Sequence, residues 1–255
     1  MAVESSGGVK SVKQMSRPIG LPVMDVDLWT GSMDLSPVAL ARVMGYLTVD
    51  ERARAARYRS RLQSDRFAAA RGLRRLILSR YLGCPPDSVA FAISRDGKPA
   101  VECRTGLDLR FNPSASDGYL VLGVTTGREI GVDVERVKSN RDPAGVVERY
   151  GTSLEREAYR ALPPAERLPA FHRWWTAKEA WLKAVGTGLR APLDSCSVDF
   201  SAAGPLRLLE IGDSSAAAGR WTLRALSPAP GFVASLVVEG PLGAVHRRRW
   251  RSDLT

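Results

Sequence analysis

The chain has 255 residues with 44% hydrophobic and 25% charged, a globular balance, long enough for a sizeable core in one large domain or two lobes. No run approaches the roughly eighteen apolar residues of a membrane span, and the amino terminus lacks the apolar stretch of a secretion signal. The formal net charge of +10 points to an acidic partner (nucleic acid, phosphates or an acidic protein), while Cys84, Cys103 and Cys196 fit neither a disulfide framework nor a zinc site, so reduced thiols and a cytoplasmic setting are expected.

Residues 1–24, rich in Ser, Gly, Lys and Val without a period, are expected to form a flexible leader. Val26 to Trp29 predicts a strand; a helix follows from about Ser36, and Asp50 is placed as the cap of the next, through Glu51 to Tyr58. Ser64 to Leu82 carries Phe67, Leu73, Leu76, Ile77 and Leu82 at helical spacing, with Gly83 as a stop. Strands are predicted at Val89–Ile93, Leu107–Phe111, Tyr119–Thr125 and Ile130–Val137. Helices follow at Pro143–Arg149, Ser153–Leu162 and Pro164–Val185, then strands at Ser197–Phe200, Leu206–Ile211, Trp221–Ala225 and Phe232–Val238. Helices followed by strands thus occur twice, with the changeover near Gly127, which is an α+β pattern in two successive halves. The closing cluster His246 to Arg251 reads as a solvated basic tail, since no nucleic-acid-binding motif accompanies it.

Two segments carry the chemistry. In Gly131-Val132-Asp133-Val134-Glu135-Arg136 a strand would place Asp133 and Glu135 on one face, about 7 Å apart at Cα, near enough to share an ion. The plain alternative is a half-buried strand with a solvated acidic face. In the helix Trp175 to Val185, Glu179 and Lys183 fall within roughly 40° of each other with Thr176 beside them. Trp174, Ala177, Trp181, Leu182 and Val185 form the apolar face, and Lys178 falls inside it, where a lysine must snorkel or bind something. Glu179 and Lys183 also suit an ordinary surface ion pair, and Gly186 and Gly188 a helix stop and loop. Grouped acids in so basic a chain point to a divalent cation shared with a phosphate-bearing ligand.

At these residues the chain resembles the phosphopantetheinyl transferases, of the two-lobed branch typified by surfactin-synthetase-activating enzymes. That family shows Gly-[Ile/Val]-Asp-[Ile/Val]-Glu followed by Trp-x-x-Lys-Glu-Ala/Ser-x-x-Lys and then Gly-x-Gly, matched here by Gly131 to Glu135, Trp175, Lys178, Glu179, Ala180, Lys183, Gly186 and Gly188. Gly97-Lys98-Pro99 and Phe111 to Ser116 add weaker matches, and the likeness covers roughly residues 25 to 240. Ala115 stands where the family usually places a histidine that helps hold the coenzyme's phosphates. Neither His172 nor His246 replaces it, and His172 is expected to pack at a helix start or at the surface.

The resemblance implies two similar α/β lobes, 25–127 and 128–240, related by a pseudo-twofold axis with the active site in the cleft between them, and a tail at 241–255. It implies Mg2+ held by Asp133, Glu135 and Glu179; Glu179, or a water it orients, as the base; and Lys183 neutralising a phosphate or protonating the departing group. Coenzyme A as co-substrate would meet Lys178 at a phosphate, Lys98 and Pro99 near its adenine, Ser114 near its phosphates, and Arg66 and Arg71 at its 3′-phosphate, with Arg54 and Arg57 in the same region. The implied partner is an acyl, peptidyl or aryl carrier protein of a polyketide, nonribosomal peptide or fatty acid synthase, met by a monomer with no nucleic acid or membrane involved. A catalytically silent coenzyme-binding relative and a nucleic-acid-binding protein are the competing readings.

Overall fold

The computed structural model describes residues 18–93, 98–102, 106–138, 142–187, 191–201, 204–212 and 214–251. Gly97, Cys103, Gly188 and most of the expected leader lie outside the described residues. In chain order the first half holds β1 (Val26–Ser32), α1 (Pro37–Met44), α2 (Val49–Ala56), α3 (Arg61–Leu82), β2 (Phe91–Ile93), β3 (Pro99–Val101), β4 (Leu109–Ser116) and β5 (Tyr119–Thr126). The second holds β6 (Ile130–Arg136), α4 (Pro143–Tyr150), α5 (Ser153–Ala161), α6 (Pro164–Val185), β7 (Cys196–Asp199), β8 (Arg207–Ile211), α7 (Ser215–Ala218), β9 (Trp221–Leu226), β10 (Phe232–Glu239) and β11 (Val245–Arg249).

Local chemistry sets most helix ends. Ser36 accepts from the Ala39 N–H to start α1. Thr48, rather than the expected Asp50, caps α2, because Thr48 and Glu51 satisfy each other's backbone N–H groups in a capping box. Gly83 and Gly186 end α3 and α6 in the left-handed region that glycine enters without a Cβ penalty.

The fold is a mixed α/β arrangement of two main sheets, ordered β11-β1-β5-β4 and β6-β10-β9. Val26, Leu28 and Val121 of the first pack against Ile130, Val132, Val134, Leu236 and Val238 of the second. The other face of the first sheet, with Trp29, Phe111, Leu122 and Val124, is covered by Ile77, Leu78 and Tyr81 of α3. In the second half Ala177, Ala180 and Ala184 of α6 join Val237 and Leu223 in a further core.

Several expectations need correction. Asn112 to Ser116, beyond the strand expected to end at Phe111, continues β4, paired with β5 as far as Ser116↔Tyr119. Pro113 is tolerated because β4 is the edge of its sheet and a missing N–H breaks no central ladder. Residues 18–24 are no loose leader, since the Ile19 N–H bonds the Arg80 carbonyl and Ile19 and Leu21 pack against the α3 core. The basic segment is not a solvated tail either. β11 pairs in parallel with β1 from Val26↔Val245 to Thr30↔Arg249, so the fold does not end at residue 240. Arg248 Nε meets the Asp27 carboxylate at 2.8 Å, and Trp250 Nε1 donates to the Ser32 carbonyl at 2.9 Å.

Candidate active site

β6 supplies the acids and α6 the facing charges. Along β6 the even residues Val132 and Val134 enter the core between the sheets, which turns Asp133 and Glu135 to the opposite face. Gly131 lets α6 lie directly on the strand, with the α6 backbone at Ala180 and Ala184 against it. Glu179 and Lys183, each one residue earlier on the helix, are thereby brought to the acids. Thr176 fixes the same helix through its hydroxyl, 2.8 Å from that of buried Ser235 on β10.

The free edge of β6 meets β4 through side chains. Asn112 Oδ1, Ser114 Oγ and Ser116 Oγ accept from the backbone N–H groups of Val132 (3.0 Å), Val134 (3.3 Å) and Arg136 (3.1 Å). Alternate polar side chains of one strand thus stand where the carbonyls of a paired strand would otherwise be. The serine hydroxyls then donate onward, Ser114 to Asp133 at 2.8 Å and Ser116 to Glu135 at 2.9 Å. Lys183 Nζ completes the cluster, 2.6 Å from Asp133 Oδ1 and 3.0 Å from Ser114 Oγ.

Burial pushes the Asp133 carboxyl above its ordinary pKa, opposed by Lys183 and Ser114. Glu179 is raised too, first by burial and next by the charge of Asp133. Among the described residues no group of three or more His, Cys, Asp or Glu side chains is already gathered as a metal site, and Lys183 occupies one Asp133 oxygen. The other, Oδ2, is buried and has no hydrogen-bond partner among the described residues. An orphaned carboxylate oxygen whose charge reaches Glu135 and Glu179 is a hard oxygen donor set, and its chemistry fits Mg2+.

Lys178 is enclosed rather than presented to a ligand. It is fully buried, its ammonium 2.7 Å from Glu155, from the Leu193 carbonyl and from the Cys196 carbonyl. A lysine this deep needs such partners to remain charged, so it belongs to the second core. Arg66 is also placed differently from expectation. Its guanidinium grips Asp34 at 2.7 and 2.8 Å beside the β4–β5 turn at Gly118.

Arg71 instead lines a cavity of about 780 Å³ with Arg54, Arg74, Arg75, Glu51, Phe67, Phe91 and Pro99. Burial brings the Arg74 guanidinium down to about 10, and it lies 4.4 Å over the Phe91 ring. Sequence reasoning missed Arg74 and Arg75, although their spacing from Arg71 puts all three on one side of α3. Lys98 and Pro99 line a neighbouring cavity of about 240 Å³ with Arg110, Glu129, Val185 and Gly186. The Lys98 ammonium is held by Glu129 and by the carbonyls of Ile130 and Ala184. Ser114 sits within the acid cluster, and exposed Ala115 alternates to the other side of β4. His172 is buried on α6 rather than at a surface, and its Nε2 accepts from the Lys138 N–H at 3.4 Å.

A family model describing the 4'-phosphopantetheinyl transferase superfamily matches residues 129–236, the stretch that holds β6 and α6. The 4'-phosphopantetheinyl transferase HetI of Nostoc sp. is 34% identical over 217 residues, 85% of this chain and 88% of the relative. The chain belongs to the 4'-phosphopantetheinyl transferases. A putative transferase of this name from Synechocystis sp. is 31% identical over 71% of this chain and 74% of its own. The 4'-phosphopantetheinyl transferase Sfp of Bacillus subtilis is 27% identical over 68% and 75%. The family reaction moves the 4'-phosphopantetheine arm of coenzyme A onto a carrier protein, and the acid–lysine cluster of this transferase lies on the matched segment.

Proposed function

We propose that the cluster of Asp133, Glu135, Glu179 and Lys183 is where this transferase carries out the transfer, with Asp133, Glu135 and Glu179 as the residues that would hold Mg2+. When bound, such a cation supplies charge neutralisation to the pyrophosphate and to the leaving oxygen. In the transfer a carrier serine oxygen bonds to the β-phosphorus, the bond from that phosphorus to the bridging oxygen breaks, and 3′,5′-adenosine bisphosphate departs. Glu179, raised by burial and by Asp133, takes the serine proton directly or through a water. Lys183 offers its ammonium to the oxygen on which charge builds. Arg54 and Arg71, with Arg74 and Arg75 behind them, offer forked donors suited to the 3′-phosphate, a grip that does not depend on a histidine at Ala115.

Each half lays one long helix on one main sheet, α3 in the first and α6 in the second, which supports the two-lobed, pseudo-twofold reading with the cluster between the lobes. Acyl or peptidyl carriers of polyketide, nonribosomal peptide or fatty acid synthases are the proposed partners, met by a monomer in the cytoplasm. Among the described residues no helix is long and apolar enough to cross a membrane.

The observation that carries this reading is the buried Asp133, held by Lys183 and Ser114 through one oxygen and without a hydrogen-bond partner among the described residues at the other. The test is intact-mass analysis of an apo carrier protein incubated with the chain, coenzyme A, and either Mg2+ or EDTA. One phosphopantetheine arm gained with Mg2+, and none with EDTA or with Glu179→Gln, is expected. Equal gain in EDTA would overturn the metal assignment. With Arg71→Ala, KM should rise for coenzyme A and stay unchanged for 3′-dephospho-coenzyme A; an equal rise for both would remove Arg71 from the 3′-phosphate.

A further inference from the structure

Lys98 lies outside the acid cluster, yet its ammonium ties together three segments that frame it. It donates to the Glu129 carboxylate at 2.5 Å, to the Ile130 carbonyl at 2.9 Å and to the Ala184 carbonyl at 2.9 Å. Ile130 opens β6, the strand of Asp133. Ala184 follows Lys183 in the last turn of α6, where carbonyls lack intrahelical partners and a cation is favoured. Among the described residues these three acceptors surround the ammonium, and the side chain is only 12% exposed.

We infer that Lys98 is a positioning residue for the transfer, one that sets the last turn of α6 against the start of β6 and so fixes where Lys183 stands relative to Asp133. Burial disfavours the charge, and Glu129 offsets part of this. Pro99 and Ala100 beside it line the same small cavity as Val185 and Gly186, so the tether also joins the wall of that cavity to the catalytic end of the helix. The inference rests on the role given to Lys183 above.

The test is a double-mutant cycle of Lys98→Met and Lys183→Ala, read as kcat and KM for coenzyme A with an apo carrier protein. Lys98→Met is expected to lower kcat by about 10-fold or more, as a misplacement near 1 Å can cost up to about 100-fold, while KM for coenzyme A moves less than about 2-fold. In the Lys183→Ala background the same change should cost less than about 2-fold, because the two act through one arrangement. Glu129→Gln, which leaves both carbonyl contacts in place, should show the same pattern at smaller size and serves if Lys98→Met does not fold. A rise in KM with kcat preserved would make Lys98 a coenzyme contact, and an undiminished loss in the Lys183→Ala background would make it a general structural residue; either overturns the inference. Unchanged turnover in Lys183→Ala alone would remove the catalytic role of Lys183 itself, and is told apart because it needs no Lys98 variant.

Discussion

Gly131 lies so close to Ala180 that a Cβ on it would stand 2.0 Å from the Ala180 carbonyl oxygen. No side chain fits there unless α6 moves off β6, and α6 carries both Glu179 and Lys183. Gly131→Ala is expected to destabilise the fold by about 1–3 kcal/mol and to lower transfer by about 100-fold even where the protein remains folded. Thermal unfolding and kcat measured at 20 °C on one preparation check this. Near-normal turnover would show that the helix has room to shift without disturbing the cluster.

Asp133 holds its proton more tightly in the folded chain than the ordinary value of 3.8. With the folded pKa raised above the unfolded one, stability falls as pH climbs from about 3.8 through the folded pKa. Above that window the ionised group works against folding. Asp133→Asn keeps the shape and removes the charge, so at pH 7 Tm should be unchanged or higher by a few degrees, each kcal/mol being worth roughly 2–4 °C, while transfer is lost. A marked fall in Tm would show that the ion pair with Lys183 outweighs the burial.

Lys178 and Glu155 form a pair whose side chains are 0% and 1% exposed. Lys178→Met would leave Glu155 charged without its cation, held only by the backbone N–H groups of Thr152 and Val198, at a cost of about 3–5 kcal/mol. Adding Glu155→Gln should recover part of that loss, as the neutral pair no longer buries a charge. Urea unfolding measures both, and KM for coenzyme A should be the same in any folded variant. A raised KM would return Lys178 to the coenzyme site.

Burial pushes the Cys196 thiol up to about 12, ahead of the opposing charge of Lys178. At pH 8 the thiolate is therefore scarce, and Cys196 should stay unlabelled by iodoacetamide in the folded protein and react on addition of denaturant. Peptide mass mapping gives the answer. Rapid labelling under native conditions would mean that the second core opens often.

What was legible in the chain follows from which forces are local. α6 spans the expected Pro164 to Val185, because a proline start and a glycine stop are local signals. The shared face of Asp133 and Glu135 follows from strand alternation alone. Lys178 stands on the apolar face where the helical angle places it, but its partner comes from α5, and no spacing rule couples those helices. The expected strand stops at Phe111, short of the serines of β4, because Asn112, Pro113 and Ser114 are poor strand formers. Their place is set by the unpaired N–H groups of β6, which pattern reading does not see. Val245 to Arg249 shows no apolar alternation because an edge strand with exposed arginines needs none.

β11 returns from the far end of the chain to lie beside the first strand. Until residue 248 has been made, Asp27 is a carboxylate destined for full burial without its guanidinium, and β1 lacks one neighbour. The first half of the polypeptide therefore emerges during synthesis unable to close its own sheet, and the wait is long in sequence even though the contact is short in space. The wait concerns that edge alone, since β1, β5 and β4 are all made by residue 126 and pair with one another without it. The basic closing strand thus completes the edge of a sheet whose other members are made long before it, and Asp27 gains its guanidinium only then.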